Sequence, residues 1–167
     1  MTHTFEPAAT GRSKCRGCGQ AIAKGELRFG ERVANPFADG DQTLWFHPLC
    51  AAFKRPESLL ETLPAAPPDL IDREKLELEA HRGLVHKRLP RIDGAERAKG
   101  QAACRHCKEP IPKGQWRIKL VFFEEGRFNP SGFIHVRCGE AYFETPDIRE
   151  RVMHFSPGLE GDPFAPD

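Results

Sequence analysis

Six cysteines and two of the seven histidines fall into one pattern written twice. Cys15, Cys18, His47 and Cys50 read C-x2-C-x28-H-x2-C, and Cys104, Cys107, His135 and Cys138 read C-x2-C-x27-H-x2-C, so every cysteine in the chain is used. Two thiolates on a tight turn, with an imidazole and a third thiolate at a helix start, can converge on a tetrahedron, and that donor set suits zinc. Four protein ligands leave no position for water, so each site is expected to hold one structural Zn2+ rather than a catalytic one. Pairing of the six cysteines as disulfides is the competing reading. The near-equal spacing of two copies, each with its histidine in the same place, favours metal.

Positioning these ligands needs little chain. At 167 residues the molecule divides into two halves around the repeat, and a half of roughly 70 residues has a marginal core that a metal commonly supplements. The start, MTHTFEPAATGRSK, has no basic segment followed by an apolar stretch, and no apolar run is long enough to cross a bilayer. The expectation is a soluble, cytoplasmic protein with no membrane partner, nucleoid-associated in a bacterium or nuclear in a eukaryote. In a reducing compartment, close cysteine pairs hold metal more often than they form disulfides. No Ser/His/Asp order, phosphate loop or paired-carboxylate motif stands out, so a non-enzymatic protein with no catalytic residue is expected. His3, His81, His86, His106 and His154 lie outside the repeat and read as surface histidines.

The pattern between the ligands predicts short elements. Residues 1 to 10 read as a polar leader. A Lys24-Gly25 turn precedes a strand through Leu27, Phe29 and Val33; NPFADGDQ reads as a loop, TLWFH as a second strand, and HPLCAAFK as a brief helix stopped near Pro56. After the Pro-rich TLPAAPPDL, the run Asp69 to Lys87 predicts a helix whose partly apolar face carries Leu70, Ile71, Leu76, Leu78, Leu84 and Val85. RLPRIDGAERAKGQ leads to the second unit. There the Lys113-Gly114 turn, a strand through Trp116, Ile118 and Leu120, the strand GFIH and a helix from near Val136 repeat the order, with a further helical turn in DIRERVMHF after Pro146. The fold class is α+β: two small zinc-stabilised modules, each a short antiparallel sheet with helices, joined by a helical linker. The boundaries are 9–87 for the first module, 88–157 for the second and 158–167 for a disordered tail.

Net charge is +1, which neither favours nor excludes a polyanionic partner. Charge placement says more. Arg12, Lys14, Arg16, Lys24, Arg28 and Arg32 make residues 10 to 34 locally basic, and Arg105, Lys113, Arg117 and Lys119 offer an equivalent face in the second unit, opposed by Glu124-Glu125.

The stretch GRSKCRGCGQAIAKGELRFGERVANPFADGDQTLWFHPLC resembles the poly(ADP-ribose) polymerase-type zinc finger, the break-recognising module also found at the N-terminus of DNA ligase III. Gly11-Arg12 before the first cysteine, the Lys-Gly turn, Leu27-Arg28, Asn35-Pro36-Phe37 and the aromatic pair before His47 carry the likeness. The second unit resembles it more loosely, with Gln101 in place of Arg12 and FNPSGF in place of NPF and WF. The resemblance implies a protein that binds DNA strand breaks: nicks, gaps or ends. Arg12 and Arg28, with Lys14 and Arg16, would meet phosphates, Phe37 would stack on an exposed base pair, and Arg105 and Arg117 would repeat the contacts in the second finger. The partners implied are broken DNA and a separate DNA repair enzyme, with the protein a monomer in the absence of DNA. A zinc-stabilised protein–protein adaptor with no nucleic-acid role is the competing function, supported by the near-neutral charge.

Overall fold

The computed structural model describes residues 2–166. They form two compact units, the first holding the chain up to Val85 together with Phe123–Phe128, the second holding His86–Phe122 and the chain from Asn129 on.

In the first unit β1 (Thr4–Pro7), β2 (Leu27–Ala34) and β3 (Asp41–Phe46) form an antiparallel sheet in that order. The central strand sets Phe29 opposite Phe5 on one side and Phe46 on the other. Their ring centroids lie 5.2 and 6.5 Å from that of Phe29, the tilted spacing aromatic pairs prefer. The first strand lies within the stretch expected to be a polar leader. Four residues at a sheet edge, none fully buried, carry no period-two signal; only pairing reveals them.

Helices α1 (Pro48–Lys54) and α2 (Pro56–Thr62) each begin with a proline, whose missing N–H is harmless in a first turn. Pro56 therefore starts a second helix as well as ending the first. The strand and helices are tied by Glu31 of β2, 1% exposed. It accepts hydrogen bonds from Arg55 Nε at 2.8 and 3.0 Å and one from the Ser58 hydroxyl. Helix α3 (Arg73–Val85) is shorter than the expected 69 to 87 and packs on α1 and α2 within this unit. The face it buries carries Leu76, Ala80 and Gly83, while Ile71, Leu78, Leu84 and Val85 are exposed. Small side chains at 80 and 83 seat the helix closely; of the larger apolar residues expected on its inner face, Leu76 is buried there and Leu78, Leu84 and Val85 are exposed.

The second unit contains β4 (Ile92–Arg97), the short pair β5 (Ala102–Ala103) and β6 (Pro110–Ile111), and all but the adjoining ends of β7 (Trp116–Glu124) and β8 (Arg127–His135). Its main sheet has the order β4-β7-β8. The first of these strands occupies what the sequence suggested was a lead-in. Its register shifts between Ile92 and Ala95, at Gly94, whose φ of 96° and close approach to Phe155 leave no room for a side chain. Glycine here breaks the alternation that would have marked a strand. Helices α4 (Gly139–Phe143) and α5 (Arg149–His154) complete the unit. Its core includes Leu89, Ile92, Ile118, Leu120, Ile134, Phe143 and Val152. The segment expected to be a disordered tail is held in place: Asp162 accepts two 3.0 Å bonds from Arg149, and Phe164 packs against that core.

Candidate metal centres and nucleic-acid interface

All six cysteines are free thiols, and they gather with His47 and His135 into two clusters whose ligand atoms lie within 4.8 Å of one another. In the first, Cys15 and Cys18 sit on a knuckle closed by hydrogen bonds from Cys15 N–H to Gln20 at 2.8 Å and from Gly19 N–H to Cys15 at 2.8 Å. His47 ends the extended chain after β3 with φ −60° and ψ 141°, so its backbone caps α1 and places Cys50 in the first turn. The second centre is built the same way. Cys104 and Lys108 close the knuckle, and His135, at φ −61° and ψ 146°, opens the turn that carries Cys138. The knuckle needs one residue with positive φ, Gly19 at 76° in the first and Lys108 at 68° in the second.

A tetrahedral zinc with Zn–S near 2.3 Å and Zn–N near 2.0 Å sets sulfur and nitrogen roughly 3.6 Å apart. His47 Nδ1 lies 3.4 Å from Cys18 Sγ and 3.9 Å from Cys50 Sγ, and His135 Nδ1 lies 3.3 Å from Cys107 Sγ and 3.7 Å from Cys138 Sγ. The donors fit the ion. Backbone N–H groups of Gly17 and His47 donate to Cys15 Sγ at 3.3 Å each, and those of His106 and His135 to Cys104 Sγ at 3.4 Å each. Behind the rings, His135 Nε2 donates to the Pro110 carbonyl at 3.0 Å, leaving Nδ1 free to bind metal. His47 Nε2 lies 3.8 Å from Glu26 Oε1. Such outer partners fix the ring orientation a metal ligand requires.

The thiols show why a cation belongs there. Hydrogen bonds with Cys18 and Cys50, joined by backbone N–H groups, draw Cys15 down to about 3 despite burial. The same contacts with Cys15 and Cys18, together with burial, push Cys50 up. In the second centre burial pushes Cys104 up, but backbone bonds from Cys107, His135 and His106 outweigh it and leave about 6. Burial and the neighbouring Cys104 and Cys107 push Cys138 up to about 12. Sulfurs packed this closely cannot all carry negative charge by themselves. A dication relieves that competition, and each centre accepts one structural zinc ion.

Residues 6–87, which contain the whole first centre, match the family described as the poly(ADP-ribose) polymerase and DNA-ligase Zn-finger region. They are a zinc finger of that family. Curated relatives extend the likeness past this poly(ADP-ribose) polymerase-type finger. Poly(ADP-ribose) polymerase 1 of Gallus gallus is 33% identical over 138 residues, 72% of this chain and 14% of that protein. Poly(ADP-ribose) polymerase of Sarcophaga peregrina is 30% identical over 137 residues, 71% of this chain and 14% of that protein, and poly(ADP-ribose) polymerase 1 of Oryza sativa is 28% identical over 142, covering 78% and 14%. The chain thus spans only a small part of the relatives it matches. Each alignment is longer than the first finger, so it continues into the second unit.

Within the poly(ADP-ribose) polymerase-type finger, Arg12 and Lys14 are exposed on the segment entering the knuckle and Arg16 is exposed inside it. Arg28 is different: 8% exposed, it donates to Ser13 Oγ at 3.0 Å and Glu6 Oε1 at 3.3 Å and lies 3.6 Å from the Trp45 ring centre. The Ser13 bond, and one from Arg16 N–H to the Trp45 carbonyl at 2.9 Å, keep residues 13 to 16 alongside that arginine. Phe37 is 78% exposed on the loop after β2. Its N–H is held by Asn35 Oδ1 at 3.0 Å, and Arg127, of the same unit, lies 5.8 Å from its ring centre.

In the second unit Arg105 is exposed and its N–H donates to the Phe133 carbonyl at 2.9 Å, as Arg16 does to Trp45. Arg117, 6% exposed, donates to Glu96 Oε2 at 3.0 and 2.5 Å and lies 3.5 Å from the Phe133 ring centre, as Arg28 does with Glu6 and Trp45. Sequence reading found both arginines but missed the acids Glu6 and Glu96 that pair with them. Those acids sit on β1 and β4, strands with no clear signal in the sequence.

Proposed function

We propose that the protein is a zinc-dependent reader of DNA strand breaks, with the first finger making the decisive contact. One observation carries this reading: Phe37, a large aromatic 78% exposed, stands on the loop that follows β2, and the other end of that strand carries Arg28, whose bond to Ser13 holds the segment with the exposed Arg12, Lys14 and Arg16. Strand geometry separates Arg28 from the end of β2 at Ala34 by about 20 Å, the reach of about six base pairs. Cations at one end track phosphates without reading sequence, and the ring at the other meets the flat face that only a nick, gap or end exposes. Nicked duplex also bends more easily, which adds shape selectivity.

Arg28 and Arg117 contribute through the edge of guanidinium groups already committed to Glu6 and Glu96. Arg105 supplies the exposed charge of the second finger, which repeats the metal centre and the buried arginine of the first. The protein meets DNA as a monomer and leaves the chemistry to a separate repair enzyme. A reader of genomic breaks works where the genome lies, which supports the nucleoid or nuclear placement over a diffuse cytoplasmic one.

The test compares zinc-loaded protein on nicked, blunt-ended, intact circular and single-stranded DNA across a salt series. Broken duplex is expected to bind more tightly than intact duplex, with affinity falling as salt rises because releasing counterions into a more concentrated solution gains less. Phe37→Ala should abolish the preference for breaks while keeping the salt slope. Arg12→Ala should weaken binding to every duplex and lower the slope by about one. Equal, weak binding to all four would leave the adaptor reading in its place.

A further inference from the structure

Lys54 closes α1, one turn beyond the ligand Cys50, and is only 3% exposed. An ammonium so buried has lost its water and needs dipoles and charge around it. Its Nζ donates to the Gly17 carbonyl at 2.7 Å, inside the Cys15 to Cys18 knuckle. That carbonyl belongs to the peptide leading directly into Cys18, and the N–H of the same glycine donates to Cys15 Sγ at 3.3 Å. The packing is close: a Cβ on Gly17 would stand 3.0 Å from Cys50 Cβ. Lys54 therefore grips the knuckle from the helix that supplies the opposing ligand. Three thiolates and a neutral imidazole around a dication leave a centre with one excess negative charge.

We propose that Lys54 is a positioning residue and counter-charge of the first metal centre. Its ammonium holds the Gly17–Cys18 peptide in ligand geometry and offsets the excess charge of the zinc-bound sulfurs. The first finger then releases zinc more slowly, and its sulfurs meet electrophiles less readily, than a knuckle without the charge. The second centre provides the comparison within the same chain. Four residues past Cys138 stands Tyr142, and two past Cys104 stands His106, the counterparts of Lys54 and Gly17. Their rings meet edge-on at 6.2 Å and 84°, so helix and knuckle meet there through a ring contact in place of a buried ammonium.

The experiment uses the full zinc-loaded chain and its Lys54→Gln and Lys54→Met variants. Gln keeps a hydrogen-bond donor and Met keeps the apolar stem, and neither carries charge. Alkylation of each cysteine by iodoacetamide is followed by peptide mass spectrometry, alongside the thiolate-to-cobalt absorption of cobalt-loaded protein. In both variants Cys15, Cys18 and Cys50 should react about tenfold faster or more, in the range expected for an outer partner of a metal ligand. Cys104, Cys107 and Cys138 should keep their rates, and the cobalt band of the first site alone should move to longer wavelength. Wild-type rates in Lys54→Gln would overturn the counter-charge role, and equal acceleration at both centres would show general loosening instead. Should Lys54→Met fail to load two ions, Lys54→Gln decides the matter alone.

Discussion

Arg28 and Arg117 each stack on an aromatic ring and reach across to an acid on the neighbouring strand. A guanidinium can do both because it is flat and forked; lysine can do neither well. Arg28→Ala uncovers Trp45 and leaves Glu6 unpaired, so it should lower stability by about 1 to 2 kcal/mol in thermal melts. Zinc content should stay at two ions per chain, since no ligand is touched. Loss of the first ion in that variant would mean that the arginine holds the knuckle as well as the sheet. The thiols make a second prediction at this scale. A thiol whose pKa is depressed in the folded state adds stability above its ordinary value of 9.0, and that stability is lost as pH falls through the folded value, about 3 for Cys15 and about 6 for Cys104. Cys50 and Cys138, pushed up in the same centres, oppose that stability, so metal release on acidification should follow all three thiols of a centre together. Cobalt-loaded Cys18→Ala and Cys107→Ala, each with one centre left, should both lose the thiolate-to-cobalt band as pH falls, and a band that persists in acid would place metal retention elsewhere than in thiolate ionisation.

Elements divide sharply into those legible in the sequence and those that are not. The eight ligands, β2, β3, β7 and the helix after each H-x2-C announce themselves through spacing, alternation and turn residues. Strands β1 and β4 do not, because each is short and one is bulged; their existence depends on a partner strand far along the chain. Of the inner face of α3 only Leu76 is legible: Ala80 and Gly83 make close contact by being small, which hydrophobicity does not record. Gly94 bears directly on this. Gly94→Ala forces positive φ on a residue with a Cβ directed at the Phe155 carbonyl, and should destabilise the second unit by about 2 to 4 kcal/mol in denaturant titrations while leaving the first unit unchanged. The C-terminal segment gives a gentler test. Its anchor Asp162 also accepts the Phe164 N–H at 2.9 Å, so Asp162→Asn should speed hydrogen exchange at Phe164 without altering zinc content. Unchanged exchange would assign the hold to the Phe164 ring alone.

At the scale of the whole molecule, metal and core compete for credit. A structural zinc supplies on the order of 10 to 16 kcal/mol, as much as the entire stability of a small domain, about 5 to 15 kcal/mol. Neither unit should therefore stay folded without its ion. The two centres share no ligand, so they should empty separately. The first has the Phe5, Phe29 and Phe46 cluster in its unit, and it should empty last. A graded chelator titration of the zinc-loaded chain should then show two steps of metal release. Near-UV dichroism should fall at each step and return when zinc is restored. Because Phe37 and the exposed arginines at the knuckle belong to the first finger, preference for broken DNA should survive the first step and vanish at the second. A single step that removes both ions together would mean that the units unfold as one. Loss of break preference at the first step would move the decisive contact to the second finger.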